Sequence, residues 1–455
     1  MPKRGFSRRD FLKYNSAAGL GLLLPGSLSS SPLSGTYTSS DKPAILGGKP
    51  VFEKDWPKWP QWIPAEDEQR VLDVLRSGVW SRKDIVLEFE KKWAEKNGAK
   101  RCLTVVNGTN SMIVSLIQNN IGAGDEVLIS SYTFIATAVA VLTTGAIPVF
   151  VDTDPQTFQI DVSKIEQKIT PRTKAIIPVH LAGLPADMPA IMKIAAKRKL
   201  VVIEDACQAH LAEIDNKKVG TFGHAGCFSF QNSKNLAIGE GGAIISDDDN
   251  FIDRCYSYHN FGNAYGSVKA QEKGDVVLRG NKLRMSEYQA AIGLSQLSRL
   301  EEQTARRGES ADILRSELQK IPGIIPIKLE KNVTRGAYHL FPFRYKKEHF
   351  KGLTRNDFIR ALNAEGVSCY EGYQPLNTMS YLENTFKSKN FQTSYPKEVL
   401  DIKKYKQRNR CPENDKICQE AVWIPQNVLL AGNTEIVKIA EAVNKIYTNA
   451  ESLKQ

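Results

Sequence analysis

The chain has 455 residues, of which 42% are hydrophobic and 24% are charged. That balance is typical of a globular protein and is enough for one large core or two moderate ones. Part of the net charge of +11 is concentrated at the N-terminus, and the rest of the sequence has no dense block of Lys and Arg. The composition therefore argues against nucleic-acid binding, whereas anionic small substrates fit a mildly basic surface.

The first 30 residues have the organisation of a cleavable export signal. Basic residues, including Arg8 and Arg9, precede a short apolar run at 17–24, and small and polar residues follow. The run SRRDFLK at 7–13 is similar to the twin-arginine export signal, so we predict a signal peptide at 1–30 and a periplasmic location. The alternative is a cytoplasmic protein with an accidentally basic N-terminus. We expect no membrane anchor, because no cysteine follows the apolar run and no apolar stretch is long enough to span a bilayer.

Residues 31–42 are rich in Ser, Gly and Thr and are predicted to form a linker. Residues 43–75 are predicted to form an N-terminal arm that packs on the body of the protein and ends in a helix at 66–75. Another helix is predicted at 85–96. The tryptophans of the arm have prolines nearby; they are Trp56, Trp59 and Trp62.

From residue 102 onward, apolar runs of strand length alternate with amphipathic segments of helix length. This alternation predicts an α/β domain with a mostly parallel sheet, and the nearly continuous Val, Ile and Leu indicate strands covered on both faces. Two further strands, at 228–230 and 243–246, are interpreted as a hairpin-like excursion and bring the sheet to seven strands. The other predicted strands are 102–106, 126–130, 148–152, 175–180 and 201–205.

The predicted large domain covers 76–320 and ends in a long helix that begins near Ser286. A smaller C-terminal α+β domain is predicted at 321–455. Its expected elements are a strand at 338–345 and helices at 355–364 and 434–446.

Seven cysteines occur at irregular spacing, without a CxxC pair, so neither a zinc site nor a disulfide framework is indicated. A bridge between Cys369 and the Cys411 region stays open as an alternative. We expect no metal site, because the sequence lacks a cluster of acidic residues and histidines.

A glycine, a hydroxyl residue and a helix start follow the first predicted strand. Gly108 allows close backbone approach, the N–H groups of the helix start attract an anion, and Thr109 adds a hydroxyl. Together with Asn110 they form a candidate anion site, with a plain helix cap as the alternative. After the second strand comes Phe134, which is placed either to stack on a flat ring or to pack against a helix.

Asp205 ends the fifth predicted strand. A carboxylate there is costly to bury unless it meets a cation, which can be a metal, a lysine or a protonated heterocycle. Lys234 lies between the last two strands, five residues after Ser229 and just before a glycine cluster. Taken alone, it is typical of a solvated lysine in a surface loop.

The combined set matches the needs of pyridoxal phosphate. The aldehyde of this cofactor forms an imine with a lysine amine, and its pyridine nitrogen needs a carboxylate to stay protonated. Its phosphate needs a helix N-terminus and hydroxyl groups. The sequence therefore predicts pyridoxal 5'-phosphate as the cofactor, with Lys234 and Asp205 as the catalytic residues.

These motifs resemble the DegT/DnrJ/StrS family of pyridoxal-phosphate sugar aminotransferases, which have the type I fold of aspartate aminotransferase. The resemblance runs from about residue 47 to 442. It is carried by the stretches NGTNSM, SYTFIATA, PVFVDTDPQTFQID, PVHLAGLPADM, VVIEDACQAH, CFSFQNSKNLAIGEGGAIISDD and RMSEYQAAIGLSQLSRLEE.

The resemblance implies that Lys234 carries the cofactor and moves a proton, that Asp205 pairs with the pyridine nitrogen and that Gln208 contacts the 3-oxygen of the ring. Phe134 would stack on the ring, and His180 would lie near the substrate or have a structural role. The residues expected to hold the phosphate are Gly108, Thr109, Asn110 and Ser229.

One stretch departs from the family pattern Gly-x-Asn-x-Arg-Met, in which the Asn reaches the phosphate of the partner subunit. Here the stretch is GNKLRM at 280–285, which places Lys282 at the Asn position. A lysine there can serve as a counter-charge for the phosphate. This reach implies a homodimer with shared active sites.

The stretches LGGKPV (46–51), SKNL with GEGG, and VWIPQ (422–426) are most similar to the branch that aminates keto-inositols with nitrogen from glutamine or glutamate. A nucleotide-linked keto-sugar is the alternative acceptor, although export disfavours it because nucleotide sugars are cytoplasmic. Two rival functions are a dehydratase of the same fold and a non-catalytic sensor that keeps the cofactor pocket. Related dehydratases replace the lysine that this chain keeps at 234.

Overall fold

A seven-stranded sheet lies at the centre of the computed structural model, which describes residues 42–272 and 274–454. Its strands are Arg101–Val105 (β1), Glu126–Ser130 (β2), Ile147–Val151 (β3), Thr173–Ile177 (β4), Val201–Asp205 (β5), Ala225–Ser229 (β6) and Gly242–Ser246 (β7). The spatial order is β1-β7-β6-β5-β4-β2-β3. Only β7 runs antiparallel to its neighbours. The prediction of a mostly parallel α/β sheet is confirmed, and β6 and β7 are interior strands of it rather than an excursion.

Helices cover both faces of the sheet, as the continuous apolar strands require. The helices between 64 and 318 are Pro64–Ser77 (α1), Asp84–Asn97 (α2), Gly108–Gln118 (α3), Ala136–Thr143 (α4), Met188–Arg198 (α5), Asp249–His259 (α6) and Glu287–Leu318 (α7). One face packs against α2, α5 and α7, and the other packs against α3, α4 and α6. The sheet is therefore doubly wound, and its ligand edge is the carboxyl end of the parallel strands.

After α7 the chain forms a four-stranded antiparallel sheet with its own helical cover. The strands are Ile324–Pro326 (β8), Leu340–Tyr345 (β9), Tyr370–Glu371 (β10) and Ala421–Pro425 (β11), in the order β8-β9-β11-β10. Helices Arg355–Ala364 (α8) and Asn433–Thr448 (α13) pack with this sheet. A small three-stranded ladder joins Val333–Arg335 to Glu213–Ile214 and Lys217–Lys218. All described residues belong to one compact unit, so the domain boundary at 320 stays a prediction.

Four short helices between 380 and 420 were not predicted from the sequence. They are Ser380–Phe386 (α9), Lys389–Ser394 (α10), Ile402–Arg408 (α11) and Pro412–Glu420 (α12). The Tyr405 hydroxyl donates to the carbonyl of Pro148 at 2.6 Å, and the Asn409 side chain accepts from the Phe150 N–H at 2.7 Å. This segment therefore covers the edge strand β3, whose backbone would otherwise be open to pairing.

The N-terminal arm packs on the body of the protein through its tryptophans. The Trp56 indole N–H donates to the carbonyl of Gly366 at 2.7 Å, and the Trp59 indole N–H donates to the carbonyl of Lys234 at 3.1 Å. The arm therefore supports the backbone on which the predicted catalytic lysine lies. The predicted export signal and the linker up to residue 41 lie outside the described residues.

All seven cysteines are unpaired in the structure, including Cys369 and Cys411, so the open alternative of a bridge between them is not what the fold shows. Within 42–272 and 274–454, no helix is both long and apolar enough to cross a membrane. The same residues contain no group of three or more His, Cys, Asp and Glu that could hold a metal ion.

Candidate active site

Three parts of the chain meet at the carboxyl edge of the sheet, where β1, β5 and β6 end. Helix α3 starts directly after β1, and its first residue, Gly108, lies against the ends of the other two strands. A Cβ added at Gly108 would lie 2.7 Å from Cys207 Sγ and 2.8 Å from Ser229 Cβ. Glycine is therefore required for the N-terminus of α3 to approach the pocket this closely.

Asp205 ends β5 as a buried carboxylate held only by neutral donors. Its Oδ2 accepts from the Thr137 hydroxyl at 2.8 Å, and its Oδ1 accepts from the Cys207 N–H at 3.3 Å. Within the described part of the chain, neither of these two bonds comes from a lysine or an arginine. A buried carboxylate with this environment is suited to a cationic ligand group such as a protonated ring nitrogen.

Lys234 lies on the loop between β6 and β7 and extends into the same pocket. Its N–H donates to the carbonyl of Gln231 at 2.8 Å, and its own carbonyl accepts from Trp59. Burial of the amine lowers the pKa of Lys234, while the Cys207 sulfur and the Asp205 carboxylate oppose that shift. A lysine with a lowered pKa has more of its amine in the free-base form, which is the form that attacks an aldehyde.

The predicted anion site is a helix N-terminus with a hydroxyl beside it. Asn107 caps α3, because its side-chain oxygen accepts from the N–H of Asn110 at 2.9 Å. The first N–H groups of the helix have no acceptor within the helix, so they point at the pocket. Ser229 faces them from the end of β6, as the crowding at Gly108 shows, and Thr109 is the first residue after that glycine.

The ring side of the pocket is lined by Gln208, Phe134 and an aromatic residue that was not predicted, Tyr373. The Gln208 amide donates to the Tyr373 hydroxyl at 3.2 Å and accepts from the Ala182 N–H at 2.8 Å. The ring of Phe134 is 53% exposed and lies 6.3 Å from the ring of Tyr373. An exposed aromatic at this edge has a free face on which a flat ring can stack.

His180 is buried, and both of its ring nitrogens bond within the fold. Nε2 lies 3.0 Å from the Glu204 carboxylate, and Nδ1 accepts from the Ala186 N–H at 3.1 Å. Glu204 also accepts from three backbone N–H groups at 220, 222 and 223. Of the two roles that the sequence left open for His180, this geometry supports the structural one.

Lys282 lies on an exposed stretch that precedes α7. Its backbone N–H is bonded to the Asn281 side chain at 2.8 Å, and its backbone pairs with Asn260. Its predicted role is a contact with the phosphate bound in a second subunit, which is a contact between chains and stays a prediction.

Three residues of the site were missed in the sequence. Thr137 lies three positions after Phe134, so a hydroxyl on the predicted aromatic loop was the available signal for it. Tyr373, which bonds to Gln208, and His339, whose Nε2 lies 3.4 Å from Lys234 Nζ, lie more than 100 residues downstream of Lys234. The sequence gives no sign that they return to this pocket.

The fold and the site define the class of this protein: it has the doubly wound sheet and the pocket of a pyridoxal-phosphate-dependent enzyme. The residues fit the cofactor, because one pocket combines a helix N-terminus for the phosphate, a cation-seeking carboxylate at Asp205 and a half-buried amine at Lys234.

Comparison with known proteins identifies the family. The sequence profile of the DegT/DnrJ/EryC1/StrS aminotransferase family matches residues 61–444, and the chain belongs to this family. It is 36% identical to the spore coat polysaccharide biosynthesis protein SpsC of Bacillus subtilis over 355 residues, which are 75% of this chain and 90% of that protein. It is 32% identical to an L-glutamine:2-deoxy-scyllo-inosose aminotransferase of Micromonospora echinospora over 427 residues, covering 90% and 99% of the two chains.

Among solved structures, the crystal structure of 3-amino-5-hydroxybenzoic acid (AHBA) synthase superimposes on this fold with a TM-score of 0.76 and 31% identity. The match covers 88% of this chain and 99% of that one. The similarity therefore extends over both sheets and is not limited to the cofactor motifs.

We predict that Asp205→Asn lowers turnover by about 100-fold, which is the usual scale for losing one charge-stabilising group in an active site. The amide keeps the size of the side chain and the bond from Thr137, but it removes the negative charge. Steady-state kinetics with purified protein and saturating cofactor measure this effect. Asp73→Asn on the exposed face of α1 is the matched control, and equal rates for the two variants would contradict the role of Asp205.

Proposed function

We propose that the protein transfers an amino group from glutamine or glutamate to a ketone-bearing polyol or sugar, with a keto-inositol as the favoured acceptor. The observation that carries the aminotransferase mechanism is the shared pocket of Lys234 and Asp205. The acceptor is supported by the relatives, since several are named as aminotransferases of inososes and span 97–99% of their own length in the match.

Bound pyridoxal phosphate supplies an electron sink for the carbon that gains or loses the amino group. Asp205 would hold a positive charge on the ring nitrogen, the N-terminus of α3 and Ser229 would hold the phosphate, and Phe134 would offer its exposed ring for stacking. Lys234 takes the proton from the donor carbon in the first half-reaction and gives a proton to the acceptor carbon in the second. The two substrates therefore use one site in turn, which is a ping-pong mechanism.

The test of this function is a half-reaction screen. Incubation with glutamate or glutamine should convert the purified protein to the pyridoxamine form, and a keto-inositol should restore the starting spectrum faster than a nucleotide-linked keto-sugar. Lys234→Ala should lose the visible absorbance of the lysine-bound cofactor and slow both conversions by about 100-fold or more, because general base catalysis contributes on that scale.

Lys389→Ala removes an exposed lysine far along the chain and serves as the control. A non-catalytic sensor would keep its spectrum with either amino acid, and a dehydratase would consume a sugar without giving an amino product. Retained turnover in Lys234→Ala would overturn the proposed function.

We also propose a homodimer with shared active sites. Large apolar side chains are exposed around the start of α7, where the Glu287 N–H donates to the carbonyl of Trp80 and places Trp80 beside Tyr288. Trp80 in turn donates to the carbonyl of Leu75. This patch borders the loop between β6 and β7 that carries Lys234, because the Gln289 side chain donates to the carbonyl of Glu240 on that loop. Exposed apolar patches of this kind mark protein contacts.

Subunit mixing tests the dimer. Lys234→Ala and Lys282→Ala subunits should each be inactive or strongly impaired as pure dimers. When the two are unfolded and refolded together, about a quarter of the wild-type activity should return, since each hybrid of a two-fold dimer contains one complete site. Light scattering checks that the refolded mixture is dimeric. If it is dimeric and no activity returns, the proposed contribution of Lys282 to the partner's active site is contradicted.

Finally, we propose export through the twin-arginine route, which carries folded proteins and so permits loading of the cofactor beforehand. The support is the SRRDFLK motif ahead of the apolar run. Replacing Arg8 and Arg9 together by lysine keeps the charge and should retain the protein in the cytoplasm. Cell fractionation measures this, with Lys3→Arg and Arg4→Lys as the control pair. An unchanged distribution would contradict export by this route.

A further inference from the structure

The amine of Lys234 faces one side chain that the proposed mechanism does not use. Lys234 Nζ lies 3.4 Å from Nε2 of His339, which precedes β9 of the C-terminal sheet. His339 is 7% exposed, so its imidazole is a buried polar group at the catalytic amine.

The backbone around His339 is held in place from two sides of the pocket. The Ala337 N–H donates to the carbonyl of Gly183 at 2.8 Å, and the Asn235 side chain donates to the carbonyl of Ala337 at 2.7 Å. Tyr338 adopts a φ of 48°, which is uncommon for a residue with a Cβ and is kept only where the surroundings fix it. The fold thus accepts a strained residue directly before the imidazole that meets Lys234.

The segment before β9 packs so closely against Gly183 that a side chain at position 183 would not fit. A Cβ there would lie 2.7 Å from the Gln208 carbonyl and from the backbone nitrogens of Tyr338 and His339. The residue also has a φ of 83°, so only glycine fits both the space and the conformation. The position of His339 is therefore tied to the segment that carries Gln208.

The charges around His339 keep its ring neutral. Burial lowers the pKa of His339 well below its usual value, and the buried guanidinium of Arg307 lowers it further. Arg307 is itself fully buried and donates to the Gln426 side chain at 2.9 Å, without an ion pair in the described part of the chain. The carboxylate of Asp205 affects the pKa of Lys234, and it is not among the groups that shift the pKa of His339.

A neutral imidazole carries one proton, and its surroundings indicate which nitrogen holds it. Nδ1 of His339 has no hydrogen-bond partner among residues 42–272 and 274–454. A buried N–H without a partner is rarer in proteins than a buried acceptor without one, so the proton belongs on Nε2. The Nε2–H then points at the Lys234 amine and donates to its lone pair.

We propose that His339 is a positioning residue for Lys234, in which the Nε2–H donates to the neutral lysine amine and holds it in the pocket as a free base whenever it is not joined to the cofactor. The inference rests on the role proposed for Lys234. Its physical basis is that a donor bonded to the neutral form of a base disfavours the charged form.

The experiment measures the protonation of Lys234 in the pyridoxamine form of the full-length protein, where this amine is free. The protein is labelled with acetic anhydride across a pH series, and mass spectrometry of the peptide containing Lys234 gives the apparent pKa of its amine. His339→Leu removes the donor and should raise this pKa by about one unit, the scale of one such hydrogen bond. His339→Gln keeps a donor of similar reach and should leave the pKa near the wild-type value.

His349→Leu, at an exposed histidine, is the control for loss of an imidazole elsewhere. An unchanged or lowered pKa in a folded His339→Leu protein would overturn the proposal. If leucine prevents folding, His339→Asn replaces it with the same expectation, because the shorter amide does not reach the amine. Failure of the proposed function gives a different result, since then Lys234→Ala itself would keep the visible absorbance and the turnover.

Discussion

The buried charge of Asp205 is the interaction on which the rest of the site depends. An ionised carboxylate that meets only a hydroxyl and a backbone N–H is stabilised less than one that also meets a cation, since each hydrogen bond to a charged group contributes only about 1.5–3 kcal/mol. In the proposed mechanism, the protonated pyridine nitrogen of the cofactor would complete this arrangement. Protonation of that nitrogen is what makes the ring an electron sink, so the same pairing serves binding and chemistry.

The central sheet explains why these groups converge. Because β5 and β6 are parallel neighbours, Asp205 and the residues that follow Ser229 leave the sheet at the same edge. The antiparallel β7 then returns the chain through Gly242, where a Cβ would come within 2.4 Å of the Asn107 carbonyl carbon. The loop that carries Lys234 is thus fixed at both ends against the N-terminus of α3, and the amine cannot move far from the anion site.

The sequence was sufficient for the parts of the site that lie next to their strands. Asp205 ends the predicted strand 201–205, Ser229 lies within the predicted strand 228–230, and Gly108 comes two residues after the predicted strand 102–106. Predicting these strands therefore also located the three residues. Lys234 was identified by its motif, and its loop lies between two strands that were also predicted. The family resemblance predicted the role of each residue. The rule that ligands bind at the carboxyl ends of parallel strands predicted where in the fold these residues lie.

The parts that were not predicted depend on contacts between residues far apart in the chain. Tyr373 meets Gln208 across 165 positions, and Trp59 meets the carbonyl of Lys234 across 175. The helices from 380 to 420 have little periodic pattern of their own and are stabilised by packing against β3. The two central strands at 228 and 243 were recognised, but their pairing with β5 and β1 could not follow from local pattern, because strand order is set by the tertiary fold.

The backbone before the C-terminal sheet is bonded to the residues around Lys234. The segment before β9 is bonded to Gly183 and Asn235, and both of these lie at the pocket. The Trp59 ring, which supports the Lys234 backbone, packs in turn against the guanidinium of Arg307 on α7, 5.0 Å from the ring centre. Any movement of the C-terminal sheet relative to the central one would therefore displace the lysine amine and the ring side of the pocket together. The strained backbone at Tyr338 lies at one of these junctions, directly before the side chain that meets Lys234, and strain of this kind persists only where the surrounding structure fixes it.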